Sequence, residues 1–425
     1  MVERKLPKLD VAGSIPVSRS TSHGGFPAGS FSAMRNVSSG FSRCIFPLAR
    51  RMSAECRSVA MLFVCALLLS VSGCSRAVKP ASPEDTSKVR YLAGLKLLDD
   101  KDPLKPETEF RRAIELDKRS PYGYAGMAAM YLKRENLSRA LKFANKALKC
   151  DPSFADAAFL RGEIYLTGKR RDRFEKAEAS FRRVLELEPG SERALFFLGK
   201  TALESYRFEE AKTYFAQAAE KKGEYATLAA AGGELATRII EANPITDDTK
   251  RILLVEKASR AELCLLLIEE LKLKDLVKRY RLMRYEAIYH GDEGVKKIPS
   301  DIEERADWKI LLDVMALRLP HLDVYPNGDF YPERQVTRAE CAMVVQEIME
   351  FLSDDPTLAT QYISSDSPFT DVRRDYYAFN AIMLGVERGI VRSDPSTGRF
   401  DPDGTVRGVD ILLMIRALQS LYKGN

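Results

Sequence analysis

The residues with the plainest chemical use are two four-residue blocks, Ser259-Arg260-Ala261-Glu262 and Thr337-Arg338-Ala339-Glu340. A hydroxyl residue followed three positions later by glutamate forms a capping box, in which side chains close the exposed amides of a helix start. Ser259 with Glu262, and Thr337 with Glu340, are therefore expected to be structural, worth roughly 1 kcal/mol each. The arginine between them is left to act. Arg260 and Arg338 fall in the first helical turn, beside unpaired amides and the positive end of the dipole. A guanidinium there could hold a carboxylate by two parallel hydrogen bonds. The competing reading pairs each arginine with a nearby surface acid. A third stretch, Val406-Arg407-Gly408-Val409-Asp410, has no hydroxyl cap and puts glycine where the arginine would stand, so no equivalent third pocket is expected.

These blocks sit in a repeat. Asp301, Gly328, Phe330, Pro332, Val336 and Glu340 return 70 residues later as Asp371, Gly398, Phe400, Pro402, Val406 and Asp410. Each unit reads as a helix, a glycine-containing turn with a short extended segment, and a second helix. An earlier copy shows chiefly through Ser259 to Glu262 and the apolar helix 263–271. The Asp, the Gly-x-Phe-x-Pro loop (Gly328, Phe330, Pro332) and the Thr-Arg-Ala-Glu block resemble the S-layer homology domain over residues 250–425, with motifs at about 250–298, 299–352 and 368–422. The resemblance implies a pseudo-threefold bundle with ligand grooves between motifs. It also implies binding to peptidoglycan or to a secondary cell-wall polysaccharide, often pyruvylated. On that basis Arg338, Arg260, Asp301 and Asp371 are candidate wall-ligand contacts. Trp308 could stack on a sugar face or fill core.

Upstream runs a different period. Units of 34 residues at 87–120, 121–154 and 192–225, with a longer one at 155–191, repeat small residues such as Gly94, Ala128, Gly162 and Gly199 and large ones such as Phe110, Phe181 and Phe215. Small residues let paired helices approach, and large ones fill the space between pairs. The pattern resembles the tetratricopeptide repeat, which implies an α-solenoid whose concave face binds a protein or peptide. The family's groove comes from the first helix of each unit, which here would expose Tyr91, Phe159, Phe196 and Lys200. Inter-repeat packing is the other role open to these aromatics. A helix over 225–241 caps the stack, closing a solenoid of 87–241, and whether it also opens the C-terminal module is left open.

Residues 52–73 read as a secretory leader, with Arg57 as the positive flank and an apolar run over 59–71 too short to span a bilayer comfortably. Val71-Ser72-Gly73-Cys74 resembles a bacterial lipobox, which implies lipidation of Cys74 and a membrane tether. Ser75 after that cysteine looks like outer-membrane sorting, facing the periplasm. Residues 1–51 show no period of either kind and read as a non-domain extension, with Met52 the fitting start. Residues 74–86, with Pro80 and Pro83, suit a flexible tether.

Of 66 basic and 60 acidic residues, nine and three lie in 1–74, leaving 57 of each beyond. The near-neutral remainder argues against nucleic acid. His290 and His321 lack ligand spacing, so no metal and no cofactor are expected. Cys150, Cys264 and Cys341 sit in apolar helical settings. No nucleophile elbow, phosphate loop or triad appears, and a non-enzyme is expected. The sequence thus reads as all-α, a solenoid followed by a mostly helical three-motif bundle. The expected function is a lipid-anchored envelope adaptor that grips the wall and recruits an envelope protein. The alternative is an assembly factor or pilot for an outer-membrane machine, with the C-terminal module purely structural.

Overall fold

The computed structural model describes residues 82, 84–98, 104–280, 298–353 and 355–422. The extension 1–51, the leader 52–73, Cys74 and His290 lie outside the described residues. Those described form sixteen α-helices, two short 3-10 turns and no strand beyond two isolated bridges. They divide at Met127 and Ala128 into two compact units.

The first unit holds α1 (Ser87–Leu97), α2 (Leu104–Leu116) and the start of α3 (Tyr122–Lys133). Thr86 caps α1 by accepting from the Val89 amide at 3.3 Å. Phe110 of α2 is fully buried. A Cβ added at Gly94 would stand 2.4 Å from its ring, and one at Gly126 2.0 Å. Only glycine lets both helices close on this phenylalanine, which is why the repeat keeps a small residue there.

The second unit continues with α4 (Leu137–Cys150), α5 (Ala155–Thr167), α6 (Arg173–Leu187), α7 (Glu192–Glu204), α8 (Phe208–Ala219) and α9 (Ala226–Ala242). Phe215 of α8 repeats the arrangement, with a Cβ at Gly199 or Gly232 falling 2.7 or 2.8 Å from its ring. Gly232 belongs to α9, so α9 closes on Phe215 from the far side, as the first helix of a following repeat would. Asn243, in the left-handed conformation at φ 47°, stops it ahead of Pro244.

Beyond this stop the chain forms α10 (Asp247–Leu253), α11 (Arg260–Glu269), α12 (Leu273–Tyr280), α13 (Trp308–Met315), α14 (Arg338–Ser353), α15 (Phe379–Glu387) and α16 (Gly408–Tyr422). The helix α9 packs on α8 on one side and on α16 on the other. One apolar core therefore runs unbroken from Leu195 on α7 to Leu418 on α16. Cys264 and Cys341 are buried in it as free thiols, and burial pushes both up to about 12.

Candidate functional site

Three short extended segments meet at the centre of the C-terminal bundle. The Val336 amide donates to the Ala258 carbonyl at 2.9 Å, and the Ala258 amide to the Val406 carbonyl at 2.8 Å. Isolated bridges join Ser259 to Gln335 and Thr337 to Thr405. Ala258, Val336 and Val406 are all buried. Each segment runs directly into a helix, so α11, α14 and α16 radiate from one point and each start faces the neighbouring motif.

Both capping boxes form. Ser259 Oγ accepts from the Glu262 amide at 3.3 Å while the Ser259 amide donates to the Glu262 carboxylate at 2.9 Å. Thr337 and Glu340 make the same pair at 3.2 and 3.0 Å. The next two amides of each helix do not wait for a ligand. Arg260 and Ala261 donate to the carbonyls of Arg334 and Pro332 at 2.9 and 3.0 Å, and Arg338 and Ala339 to those of Gly404 and Pro402 at 2.8 and 3.0 Å. The anion site expected at these helix starts is therefore closed by the loop of the next motif.

The arginines follow the same logic. Arg260 is 2% exposed, and Nε, Nη1 and Nη2 donate to the carbonyls of Phe330, His321 and Asp323 at 3.1, 2.7 and 3.1 Å. Its guanidinium lies 4.7 Å from the Phe330 ring centroid, and burial draws it below its ordinary value. This corrects the expectation that Arg260 meets a wall ligand: all three of its nitrogens are committed inside the bundle. Arg338 repeats the clasp with fewer bonds, donating to the carbonyls of Phe400 and Arg392 at 2.6 and 2.5 Å and lying 4.6 Å from the Phe400 ring. Arg338 is only half-buried and its Nη1 carries no hydrogen bond to the described residues.

Asp301 and Asp371 turn inward as well. The Asp301 carboxylate accepts from the amides of Phe330 and Tyr331 at 3.1 and 2.6 Å. That of Asp371 accepts from Phe400 and Asp401 at 2.8 and 2.7 Å. Burial alone would raise the Asp371 carboxyl, but these amide donors outweigh it and hold it below its ordinary value. Both aspartates fix the Gly-x-Phe-x-Pro loop of their own motif. Trp308 opens α13 half-buried, with the Lys309 ammonium 5.5 Å from its ring.

The third motif departs from the pattern for a steric reason. A Cβ at Gly408 would stand 2.0 Å from the Ile252 carbonyl oxygen. The end of α10 crosses so closely that an arginine in this place is impossible, and the Gly408 amide donates to the Val255 carbonyl at 3.0 Å.

In the solenoid, Tyr91, Phe159 and Phe196 are not exposed groove residues. They are 4, 8 and 5% exposed and pack within the helix layers. Tyr91 lies 6.3 Å from Phe110 and 5.6 Å from Tyr122, Phe159 5.0 Å from Phe197, and Phe196 5.7 Å from Phe215. Lys200 is half-buried, and its ammonium acts on two carboxylates, Glu163 of α5 and Glu204 of α7. Burial pushes Glu163 up to about 7 despite Lys200 and Arg193. Sequence spacing marked Lys200 but not Glu163, whose charged neighbours Lys200 and Arg193 both lie on the next repeat's helix α7. Among the described residues no group of His, Cys, Asp and Glu could hold a metal.

Two family models match this chain: a tetratricopeptide repeat over residues 170–232 and an S-layer homology domain over 368–408. The chain thus carries both modules. Cell surface glycoprotein 1 of Acetivibrio thermocellus is 30% identical over 104 residues, 24% of this chain and 4% of that protein. Anaphase-promoting complex subunit 3 of Schizosaccharomyces pombe is 29% identical over 107 residues, 25% of this chain and 16% of that protein. The chain spans only a small part of either relative. Among solved structures, MamA of Desulfovibrio magneticus RS-1 aligns at TM-score 0.28 and 15% identity over 37% of this chain and 97% of that one. Pseudomonas aeruginosa pilF aligns at 0.30 and 18% over 48% and 92%. The two modules are interaction modules, and they support a protein of the cell envelope that binds protein partners and the cell wall.

Proposed function

We propose that this protein is a non-enzymatic, lipid-anchored adaptor of the outer membrane, facing the periplasm. Cys74 carries the lipid, the module at 250–425 holds peptidoglycan or a wall-linked polysaccharide, and the solenoid at 87–241 captures an envelope protein. The observation that carries this reading is the shared helix α9, which packs at once on the last repeat and on the S-layer homology helix α16. A partner held by α5 to α8 would then be held rigidly to whatever the C-terminal module grips, which is what an adaptor requires. Of the candidate wall contacts, Arg338 with its unbonded Nη1 and the half-buried Trp308 are the ones still available to a ligand.

The test is co-sedimentation of the full chain beyond Cys74 with purified peptidoglycan sacculi. Binding to the pellet, weakened by Arg338→Ala without loss of folding, is the expected result. A chain that stays in the supernatant overturns the wall half of the proposal. Material from membranes whose N-terminal residue is Cys74 bearing diacylglycerol is expected, and an unmodified cysteine overturns the anchor.

A further inference from the structure

We infer that Tyr325 and Tyr331 form an aromatic shelf on the second motif that takes a pyranose ring of the wall. The inference rests on the wall-binding reading above. Its starting point is a difference between two loops of the same design. Tyr331 and Asp401 occupy corresponding positions, both with positive φ, 56° and 58°, and both with their amides held by the aspartate at the front of the motif. Aspartate tolerates this left-handed backbone, whereas a bulky ring sits there under strain. Nothing in the loop design asks for an aromatic, because the third motif closes with Asp401.

The ring does not serve the core either, being 43% exposed. It is nevertheless held still. Tyr325 stands edge-on to it, 5.3 Å between centroids and 80° between planes. Asn327 Nδ2 donates to the Tyr331 hydroxyl at 2.6 Å and to Asp329 Oδ2 at 2.8 Å, while its Oδ1 accepts from the Asp329 amide at 3.2 Å. The guanidinium groups of Arg260 and Arg334 lie 5.1 and 5.7 Å from the Tyr325 centroid and help fix that ring. Arg334 Nε is buried without a partner. A strained, immobilised and half-exposed aromatic is the pattern of a prepared contact surface.

A pyranose suits this surface chemically. Its C–H face packs on an aromatic plane, and its hydroxyls can donate to acceptors at the rim, the Asp329 carboxylate and the Asn327 side-chain carbonyl oxygen. The third motif offers no such shelf. By backbone pairing Asp394 takes the place of Tyr325, donating to the Arg399 carbonyl at 2.8 Å where Tyr325 donates to that of Asp329 at 2.9 Å. The carboxylate of Asp394 is already occupied by Ser396 and Thr397. The second motif alone of these two therefore carries the shelf.

The experiment uses the full chain beyond Cys74, titrated against sacculi with their polysaccharide and against sacculi stripped of it by acid. Tyr331→Asp copies the third motif and keeps the loop, so its thermal midpoint is expected to equal or exceed that of the parent. Its affinity is expected to fall about five- to tenfold, while Tyr331→Phe stays within about twofold. Loss on stripped sacculi marks the attached polysaccharide as the source of the ring, and retention marks the peptidoglycan glycan. Equal binding by Tyr331→Asp and the parent overturns the shelf and leaves wall binding standing. Equal loss in Tyr331→Phe and Tyr331→Asp overturns stacking in favour of the hydroxyl. A parent that does not sediment overturns both readings.

Discussion

Arg238 on α9 pairs with Asp410 on α16, joining positions 172 residues apart in the chain. Asp410 stands where the second motif has its capping glutamate, and here the carboxylate turns to the last helix of the solenoid instead. Arg416, further along α16, donates to the carbonyls of Ala242 and Asn243 at 2.8 and 2.9 Å, so it caps the C-terminal end of α9. It also meets Glu270 at 2.5 Å, a carboxylate with a fully buried side chain. Removing one partner of such a pair leaves a charge inside the protein. Arg416→Ala is expected to cost about 3–5 kcal/mol, and Arg416→Lys to recover only part, because a single compact ammonium cannot span acceptors that the planar guanidinium reaches from separate nitrogens. Urea unfolding is the measurement. Solenoid and bundle are expected to melt in one transition in the parent, and two separate transitions would contradict a shared α9.

Gly408 gives a second prediction. Its missing side chain is a packing requirement, since any Cβ meets the Ile252 carbonyl at 2.0 Å. Gly408→Ala is expected to destabilise by roughly 1–3 kcal/mol, the range for overpacking a tight site. Gly408→Arg, which would restore the block seen in the other two motifs, is expected to be worse and to gain no wall affinity. A Gly408→Arg chain as stable as the parent would mean that α10 does not cross where it is placed.

The helical fold was legible because its signals are local. Gly94 with Phe110, and Gly199 with Phe215, carry a period that burial enforces, and Thr337 with Glu340 carry a cap that needs only four residues. The fate of Arg260 was not legible. Its acceptors are the carbonyls of His321, Asp323 and Phe330, more than sixty residues away, and a carbonyl leaves no trace in side-chain spelling. Tyr91, Phe159 and Phe196 failed for a related reason. An aromatic on a first helix reads the same whether it faces a groove or the next repeat, and the ring partners decide. The double role of α9 showed in sequence only as an open question, because Gly233 stands 34 residues after Gly199 while Arg238 answers to α16.

His321 supplies a pH dependence. Its hydrogen bond to Glu347 raises the imidazole above its ordinary value, with Glu340 adding to this and Arg260 opposing it. A raised folded value contributes stability that is complete below the unfolded value near pH 6.5 and is lost as pH rises through the folded one. The side chain is 38% exposed, so solvent screening keeps the effect under about 1 kcal/mol. The difference in thermal midpoint between the parent and His321→Gln is expected to favour the parent at pH 6 and to shrink by pH 9. Because the His321 carbonyl accepts from Arg260 at 2.7 Å, loosening here acts on the clasp between the first two motifs. A difference that does not vary with pH would remove the imidazole from this role.

Glu163 behaves with the opposite sign. Burial on the α5 side of the solenoid pushes its carboxyl up to about 7, against the pull of Lys200 and Arg193. An acid held above its unfolded value binds more protons in the folded state, so stability falls as pH rises from about 4.5 to about 7 and is level beyond. Glu163→Gln removes the ionisable proton and keeps the shape. It is expected to match the parent at pH 4 and to melt about 2–4 °C higher at pH 8. Lys200→Met takes away a neighbouring cation and is expected to move the parent's midpoint-against-pH curve further upward in pH. The same carboxylate lies near Lys200, so if a partner presents a cation there, its binding should lower the Glu163 value and strengthen as pH rises through 7. A flat Glu163→Gln comparison across pH 4 to 8 would show that Glu163 is solvated and that its charge has no part in the solenoid.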